Sequence, residues 1–337
     1  MLFLCLSRRN SHVWAAFCGI FMPKYSKKRT LYGRNLTINE LEKFEKYLEY
    51  YNLCEDGREV LSEAAKKICA DENMLSEALK IKNKIANISF DSTNPDEIYS
   101  AVNEEFKDKS AQFGAFVYTL AIEDMEKLYK EKMIPRDILI ATITELSISI
   151  NQHHEEGNEW GFDGYSWLIH HLRGRMFRLG RLVFEIAYII DWHLTPTALQ
   201  IGLKMGDPFL SVHIPRGGRL DESACFESFE IAKEFFPKVL NFDFKAFGCF
   251  SWLFDPAFGK LLLSDSNILK FQSLFTVTRY WENYDGLDHV FVNITKDNIK
   301  DAPTDTRLRK KLVEYVLSDG IMQCGGGFRL REGNNVR

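Results

Sequence analysis

Val212-His213-Ile214-Pro215-Arg216-Gly217-Gly218-Arg219-Leu220-Asp221 is the stretch on which the reading of this chain turns, because of what flanks it. Before it, Ala198 to Ser211 alternates and then runs apolar, as a strand does. After it, Glu222 to Phe236 carries Phe226, Phe229, Ala232 and Phe236 at helical spacing. The segment reads as a strand, a two-glycine turn between arginines, and a helix. Such a turn aims backbone N–H groups and a helix N-terminus at one point, and two guanidiniums can close over it. That arrangement suits a phosphate or pyrophosphate. A Gly-Gly turn between strand and helix is also an ordinary structural device, so the surrounding sequence has to decide between the two readings.

On either side of this unit the chain mixes strands and helices. Arg175 to Ile190 carries β-branched and aromatic residues in partial alternation. Leu199–Leu203, Phe209–Ile214, Phe247–Phe254, Arg279–Asn283 and Val290–Ile294 read as strands. Ser266–Phe275 and Thr306–Ser318 read as helices, and Asp255-Pro256 as a helix start. Further upstream, from about Asn35 to His171, the pattern is helical throughout. Thr37-Ile38-Asn39-Glu40 is a capping box, Asn94-Pro95 is a helix start, and Ser110–Lys130 is the longest helix. Asp137–Ile150 is apolar on nearly every side and reads as buried. The expected fold class is α+β, an all-helical N-terminal domain followed by a mixed, mostly antiparallel sheet flanked by helices. The expected division is a poorly ordered or wrongly assigned extension over residues 1–30, a helical domain over 31–157 and a sheet domain over 158–332. The polar run His154–Trp160 is the candidate hinge.

Composition narrows the function. The chain has 337 residues, 45% hydrophobic and 27% charged, which is ordinary for a globular protein and excludes disorder as its general state. A net charge of −4 without any dense Lys/Arg block argues against nucleic acid as partner. Seven cysteines are spread without a CxxC pair, which fits free thiols in a reducing, cytoplasmic setting and not a zinc site. The apolar runs near the N-terminus are too short to span a bilayer. His153-His154 and His170-His171 are adjacent pairs whose side chains diverge on a helix, so no metal is expected from them.

Four segments in order carry a resemblance: Arg178–Leu182 with Phe184-Glu185, Val212–Leu220, Cys249–Pro256, and Leu261–Phe271. Following a helical N-terminal half, this set resembles a bacterial family of acyltransferase-domain proteins. That family joins a helical N-acyltransferase domain to a C-terminal domain of the GNAT (GCN5-related N-acetyltransferase) fold. The resemblance covers roughly residues 35 to 330. It implies acyl transfer from acetyl-CoA or another acyl-CoA to an amine, without a metal. It also implies that Arg216, Gly217, Gly218 and Arg219 hold the CoA pyrophosphate at the start of the helix from Glu222. The usual GNAT loop has the pattern [RQ]xxGx[GA], and Arg216–Arg219 departs from that spacing.

Amine acylation by direct attack needs a base, donors for the developing oxyanion and a proton for the departing thiolate. His213, just before the turn, is either that base or a satisfied sheet histidine. Glu185 is a second base if it faces the cleft and inert if it faces solvent. Cys249 and Ser251 alternate on one strand and share a face, where they either donate to the thiolate, line the acceptor pocket, or merely pack. A sharper variant makes Cys249 a nucleophile with His213 as its base. Asn267, after Ser266, is either part of a helix cap or a contact to CoA or acceptor. Arg173, Arg175, Arg178 and Arg181 are either solvated or bound to CoA phosphates. The leading expectation is an acyl-CoA-dependent N-acyltransferase acting on a small-molecule amine. The alternative is a non-catalytic acyl-CoA-binding or regulatory protein. Oligomeric state stays open, with a homodimer as one option.

Overall fold

Apolar residues three and four apart, with caps at their ends, make the first part of the chain helical. The computed structural model describes residues 36–88 and 95–332. The expected extension over residues 1–30 lies outside these, as do the cap expected at Asn94 and the Thr37 side chain. The described residues divide into two units after Phe177.

The first unit is built from α1 (Leu36–Leu48), α2 (Glu55–Ala70), α3 (Glu72–Ala86), α4 (Pro95–Phe106), α5 (Ala111–Glu131), α6 (Arg136–Glu155) and α7 (Tyr165–Leu172). Asp71 caps α3 and Ser110 caps α5, each accepting from backbone N–H groups of the first turn. α5 is the central helix, buried over most of its length and packed against α1, α2, α3, α6 and α7. The Tyr51 and Thr119 hydroxyls meet at 2.8 Å inside this core, so the buried polar atoms satisfy each other. Gly114 lets α7 approach, since a Cβ there would stand 2.3 Å from the Tyr165 ring. The polar run His154–Trp160 lies within this unit. It is tied down by a Trp160 Nε1 bond to Asp56, an Ala111 N bond to Glu159, and stacking of His154 on Trp160 at 3.7 Å.

The second unit carries one six-stranded sheet in the order β1-β2-β3-β4-β6-β5. The strands are β1 (Met176–Leu179), β2 (Leu182–Tyr188), β3 (Pro208–His213), β4 (Ala246–Ser251), β5 (Thr276–Glu282) and β6 (Gln323–Leu330). β2/β3, β4/β6 and β5/β6 pair antiparallel, and β3/β4 pair parallel. The connection between the parallel strands is α9 (Glu222–Leu240), the crossover a parallel pair requires. α9 buries Phe229 and Phe236 against Phe184 and Phe247 of the sheet. Each such ring removes enough apolar surface from water to stabilise the fold by about 1.5–3 kcal/mol. A second small core, around Phe258, Leu287, Leu312 and Met322, joins α10 (Phe258–Leu261), α12 (Asp285–Val290) and α13 (Arg307–Leu317).

The α+β reading therefore holds, with local corrections. Leu199–Leu203 is not a strand. Thr195 caps α8 (Pro196–Gln200) by accepting from Ala198 N at 3.1 Å, and Pro196 at the first helical position fixes the turn. Val290–Ile294 is not a strand either: Val290 ends α12, and Asn293, at φ +56°, turns the chain three residues later. α9 runs past Pro237 to Leu240, held by the buried ring of Phe236 beneath it. β6 has no strand signal in the sequence, because Gly325-Gly326-Gly327 does not read as a strand. Close neighbours require glycine at two of these positions: a Cβ at Gly326 would stand 2.4 Å from Phe250 Cδ1, and one at Gly325 2.6 Å from Phe254 Cβ. Among the described residues no helix is long and apolar enough to cross a membrane.

Candidate active site

The parallel pair β3/β4 is the place where this sheet opens. Its register runs from Phe209↔Ala246 to Ser211↔Gly248. Beyond that point β3 stays paired with β2 as far as His213, and β4 stays paired with β6 as far as Ser251. The two strands therefore part toward their carboxyl ends. In open α/β sheets, ligands bind outside the carboxyl ends of the strands.

The loop after β3 fills one side of that opening. Gly217 and Gly218 have φ of +82° and +71°, a left-handed pair that only glycine adopts without strain. The loop's shape is imposed from outside by Arg181. Its Nε donates to Arg219 O at 2.9 Å, Nη1 to Pro215 O at 3.0 Å and Nη2 to Gly218 O at 3.3 Å. With three carbonyls tied to one guanidinium, the loop has a fixed path. Arg181 is itself anchored, since its N–H donates to Ser228 Oγ at 2.8 Å and that hydroxyl donates to Ala224 O. Gly180, at φ +66°, permits this contact; a Cβ there would stand 2.8 Å from Ser228 Oγ. Arg181 thus serves the loop's backbone.

α9 begins where the loop ends. Asp221 precedes its first turn without capping it through the side chain. The Asp221 carboxylate instead meets Asn267 Nδ2 at 3.2 Å and Arg219 Nε at 3.6 Å. Asn267 opens α11 (Asn267–Ser273), which Ser266 caps through Leu269 N. The structure therefore gathers Gly217, Gly218, Arg219 and Asn267 at the start of α9. Arg216 and Arg219 are both exposed residues, Arg219 with its side chain 81% exposed.

Strand register decides which of the candidate side chains meet. Ser211 pairs with Glu185 on one side and Gly248 on the other, so Glu185, Ser211, His213 and Phe250 share a face. On that face Glu185 Oε2 lies 3.4 Å from His213 Nε2, with both side chains about nine-tenths buried. Cys249 and Ser251 lie on the opposite face with Phe247, toward α9. The sheet itself separates them from His213, so the Cys249–His213 pairing weighed from sequence is not brought together. Ser251 Oγ accepts from Leu253 N at 3.2 Å and opens the 3-10 turn Trp252–Phe254. Asp255 is fully buried and links two segments, accepting from Ala257 N and Gln323 N at 2.8 Å each. Burial pushes its carboxyl above the usual range.

Several neighbours were not legible in the sequence. His193 is buried on the same face of the sheet as Glu185 and His213, against Phe209, Phe250 and Phe328. Its Nδ1 accepts from Ile190 N at 3.0 Å. Burial, reinforced by the Arg279 charge, pulls its pKa down to about 3, so the ring is neutral. Among the described residues no cluster of His, Cys, Asp and Glu is placed to hold a metal ion. A cavity of about 510 Å³ lies elsewhere, in the first unit, between Asn103, Lys107, His153 and Asp163.

Residues 42–174 match the N-acyltransferase N-terminal domain, and residues 176–329 match the GNAT-like C-terminal domain. None of the curated proteins matches the sequence. Among solved structures the chain is similar to an acyltransferase mutant in complex with octanoyl-CoA. The two are 21% identical with a TM-score of 0.67, over 86% of this chain and 88% of that one. It is also similar to an acyltransferase in complex with decanoyl-CoA and teicoplanin, at 21% identity and a TM-score of 0.63 over 90% of each chain.

Proposed function

We propose, for a chain that belongs to the acyltransferases built from these two domains, that the acyl group comes from an acyl-CoA and passes to the amine of a small-molecule acceptor by direct attack on the thioester. The observation that carries this reading is the parting of β3 and β4 beside the Arg181-held glycine loop. An opening between parallel strands admits a slender pantetheine arm. The loop and the first turn of α9 offer N–H groups to a pyrophosphate at its end. The Arg216 and Arg219 guanidiniums add charge, and Asn267 stands beside them.

The Glu185–His213 pair supplies the proton chemistry. A proton on Nε2 faces the carboxylate, which leaves Nδ1 as the basic nitrogen. His213 takes the proton that the amine must lose, the amine nitrogen bonds to the thioester carbon, and the C–S bond breaks. The same proton then returns to the CoA sulfur, so the step balances. This reading gives Cys249 and Ser251 no chemical step, because they face α9. The similar structures bound to octanoyl-CoA and decanoyl-CoA support a medium-length acyl chain, and the teicoplanin complex supports a small-molecule acceptor.

The test is thermal unfolding of the full chain with CoA, acetyl-CoA and octanoyl-CoA. A ligand at about 100 times its dissociation constant adds about 2.7 kcal/mol of stability, a readily visible shift. The expected result is a shift with all three that is largest for octanoyl-CoA and lost in Gly217→Ala, whose φ a side chain does not tolerate. No shift with any of them would sink the reading.

A further inference from the structure

The face of the sheet that carries Glu185 and His213 continues across β4 and β6 to the edge strand β5. There the strand departs from regular pairing. Val277 pairs with Gly327 and Arg279 with Gly326, so Thr278 is an extra residue in a bulge. Without the bulge Thr278 would stand opposite Gly326. With it, Arg279 takes that place, and its Cγ lies 3.5 Å from where a Gly326 Cβ would be. Bulges of this kind re-aim side chains beside functional sites.

Arg279 and His213 stand on one rung of the sheet. His213 and Phe250 each lie two residues past the Ser211↔Gly248 pair, Phe250 pairs with Gly326, and Gly326 with Arg279. Three strand spacings separate the two, on the order of 14 Å or somewhat more where β3 and β4 part.

The guanidinium of Arg279 lies over the Trp192 ring at 4.2 Å. Trp192 packs on Phe250 at 5.3 Å and Trp281 at 5.5 Å. The cation is therefore backed by rings. Its Nη1 is buried and has no hydrogen-bond partner among the described residues, and no carboxylate among them contributes to its electrostatics. Burial alone draws its pKa below the ordinary value. A half-buried charge without a counter-charge is costly, and a bound anion would relieve that cost. A planar guanidinium held flat by an indole offers its outer edge to a carboxylate.

We infer that Arg279, backed by Trp192, is a carboxylate-binding subsite for a substrate lying along the face that carries Glu185 and His213. The inference rests on the acyltransferase reading above. The carboxylate belongs either to the far end of the amine acceptor or to the far end of the acyl chain, and the two are separable.

The experiment is thermal unfolding of the full chain, wild type and R279Q. The acceptor arm uses di-, tri- and tetraglycine against their C-terminal amides, each with CoA present. The donor arm uses glutaryl-CoA against pentanoyl-CoA. We expect the carboxylate member to stabilise the wild type more in one arm, corresponding to at least tenfold tighter binding. R279Q should erase that difference and R279K retain part of it, while the amide or pentanoyl response stays unchanged. Ligand-free R279Q should unfold no lower than the wild type, since the substitution removes an uncompensated charge. Equal responses in both arms, a preference that survives R279Q, or a ligand-free R279Q that unfolds several degrees lower would each overturn the inference. Loss of the pentanoyl-CoA response itself, by contrast, strikes at the acyl-CoA reading, and the peptide arm then judges Arg279 separately.

Discussion

Arg181 Nε donates to the carbonyl of Arg219 across 2.9 Å, so one arginine of this site is spent on shaping the backbone that carries another. Sequence alone offers both as phosphate ligands. The structure divides the work, with Arg181 turned onto three loop carbonyls and Arg219 turned outward.

Arg181→Ala should therefore weaken CoA binding without removing a direct contact. Freeing the loop costs ordering entropy on binding. We expect about a tenfold loss, or about 1.4 kcal/mol, by calorimetric titration with CoA. Arg181→Lys should recover little, since one ammonium does not span three carbonyls. An unchanged dissociation constant in Arg181→Ala would remove the loop from the binding account.

His213→Ala should lower kcat for octanoyl transfer by about 10²–10⁴-fold, the usual worth of a general base, with little change in the KM for octanoyl-CoA. Glu185→Gln should lose less, because it orients the ring and does not itself accept the proton. A His213→Ala enzyme with normal kcat would assign the base to another residue.

Cys249→Ala should transfer acyl groups nearly as well as the wild type, since Cys249 is fully buried on the face toward α9. Its cost should fall on stability, through the cavity left by the lost sulfur. An inactive but folded Cys249→Ala would instead support a covalent acyl-enzyme, detectable as a mass increase on the wild type.

The acid limb of the stability curve should report His193. Its folded pKa is depressed to about 3 from the ordinary 6.5. The unfolded chain therefore binds the extra proton between those values, and stability is full above about pH 6.5 and falls as pH drops toward 3. The slope is at most about 1.4 kcal/mol per pH unit from this group. Denaturant midpoints measured between pH 4 and 7 should fall less steeply in His193→Gln than in the wild type.

Asp255→Ala should cost about 2–4 kcal/mol in a urea melt, because it strands the buried N–H groups of Ala257 and Gln323 together. A cost below about 0.5 kcal/mol, the level of a surface change, would mean that water replaces the carboxylate.

The helices of the first unit and the β3–loop–α9 segment were legible because their signals are local. Caps such as Ser110, 3.6-residue spacing and paired glycines act within a few residues. Where strong local signals were overridden, the cause was a short cap: Thr195-Pro196 made a helix of a stretch rich in strand formers. The glycine strand β6 was hidden for the opposite reason. Its residues carry no pattern of their own and are fixed by the Phe250 ring against Gly326 and by Phe254 Cβ and the Tyr280 ring against Gly325.

By itself the sequence determined the fold class, the ordered set of motifs that carries the family resemblance, and the position of the glycine loop. Those depend on residues near one another in the chain. Only the tertiary structure decided which candidate side chains meet. Strand side chains alternate every residue, so a register fixed by partners far away in sequence put Glu185 with His213 and turned Cys249 and Ser251 to the other side. The same pairing, shifted by one bulged residue, turned Arg279 onto the His213 face.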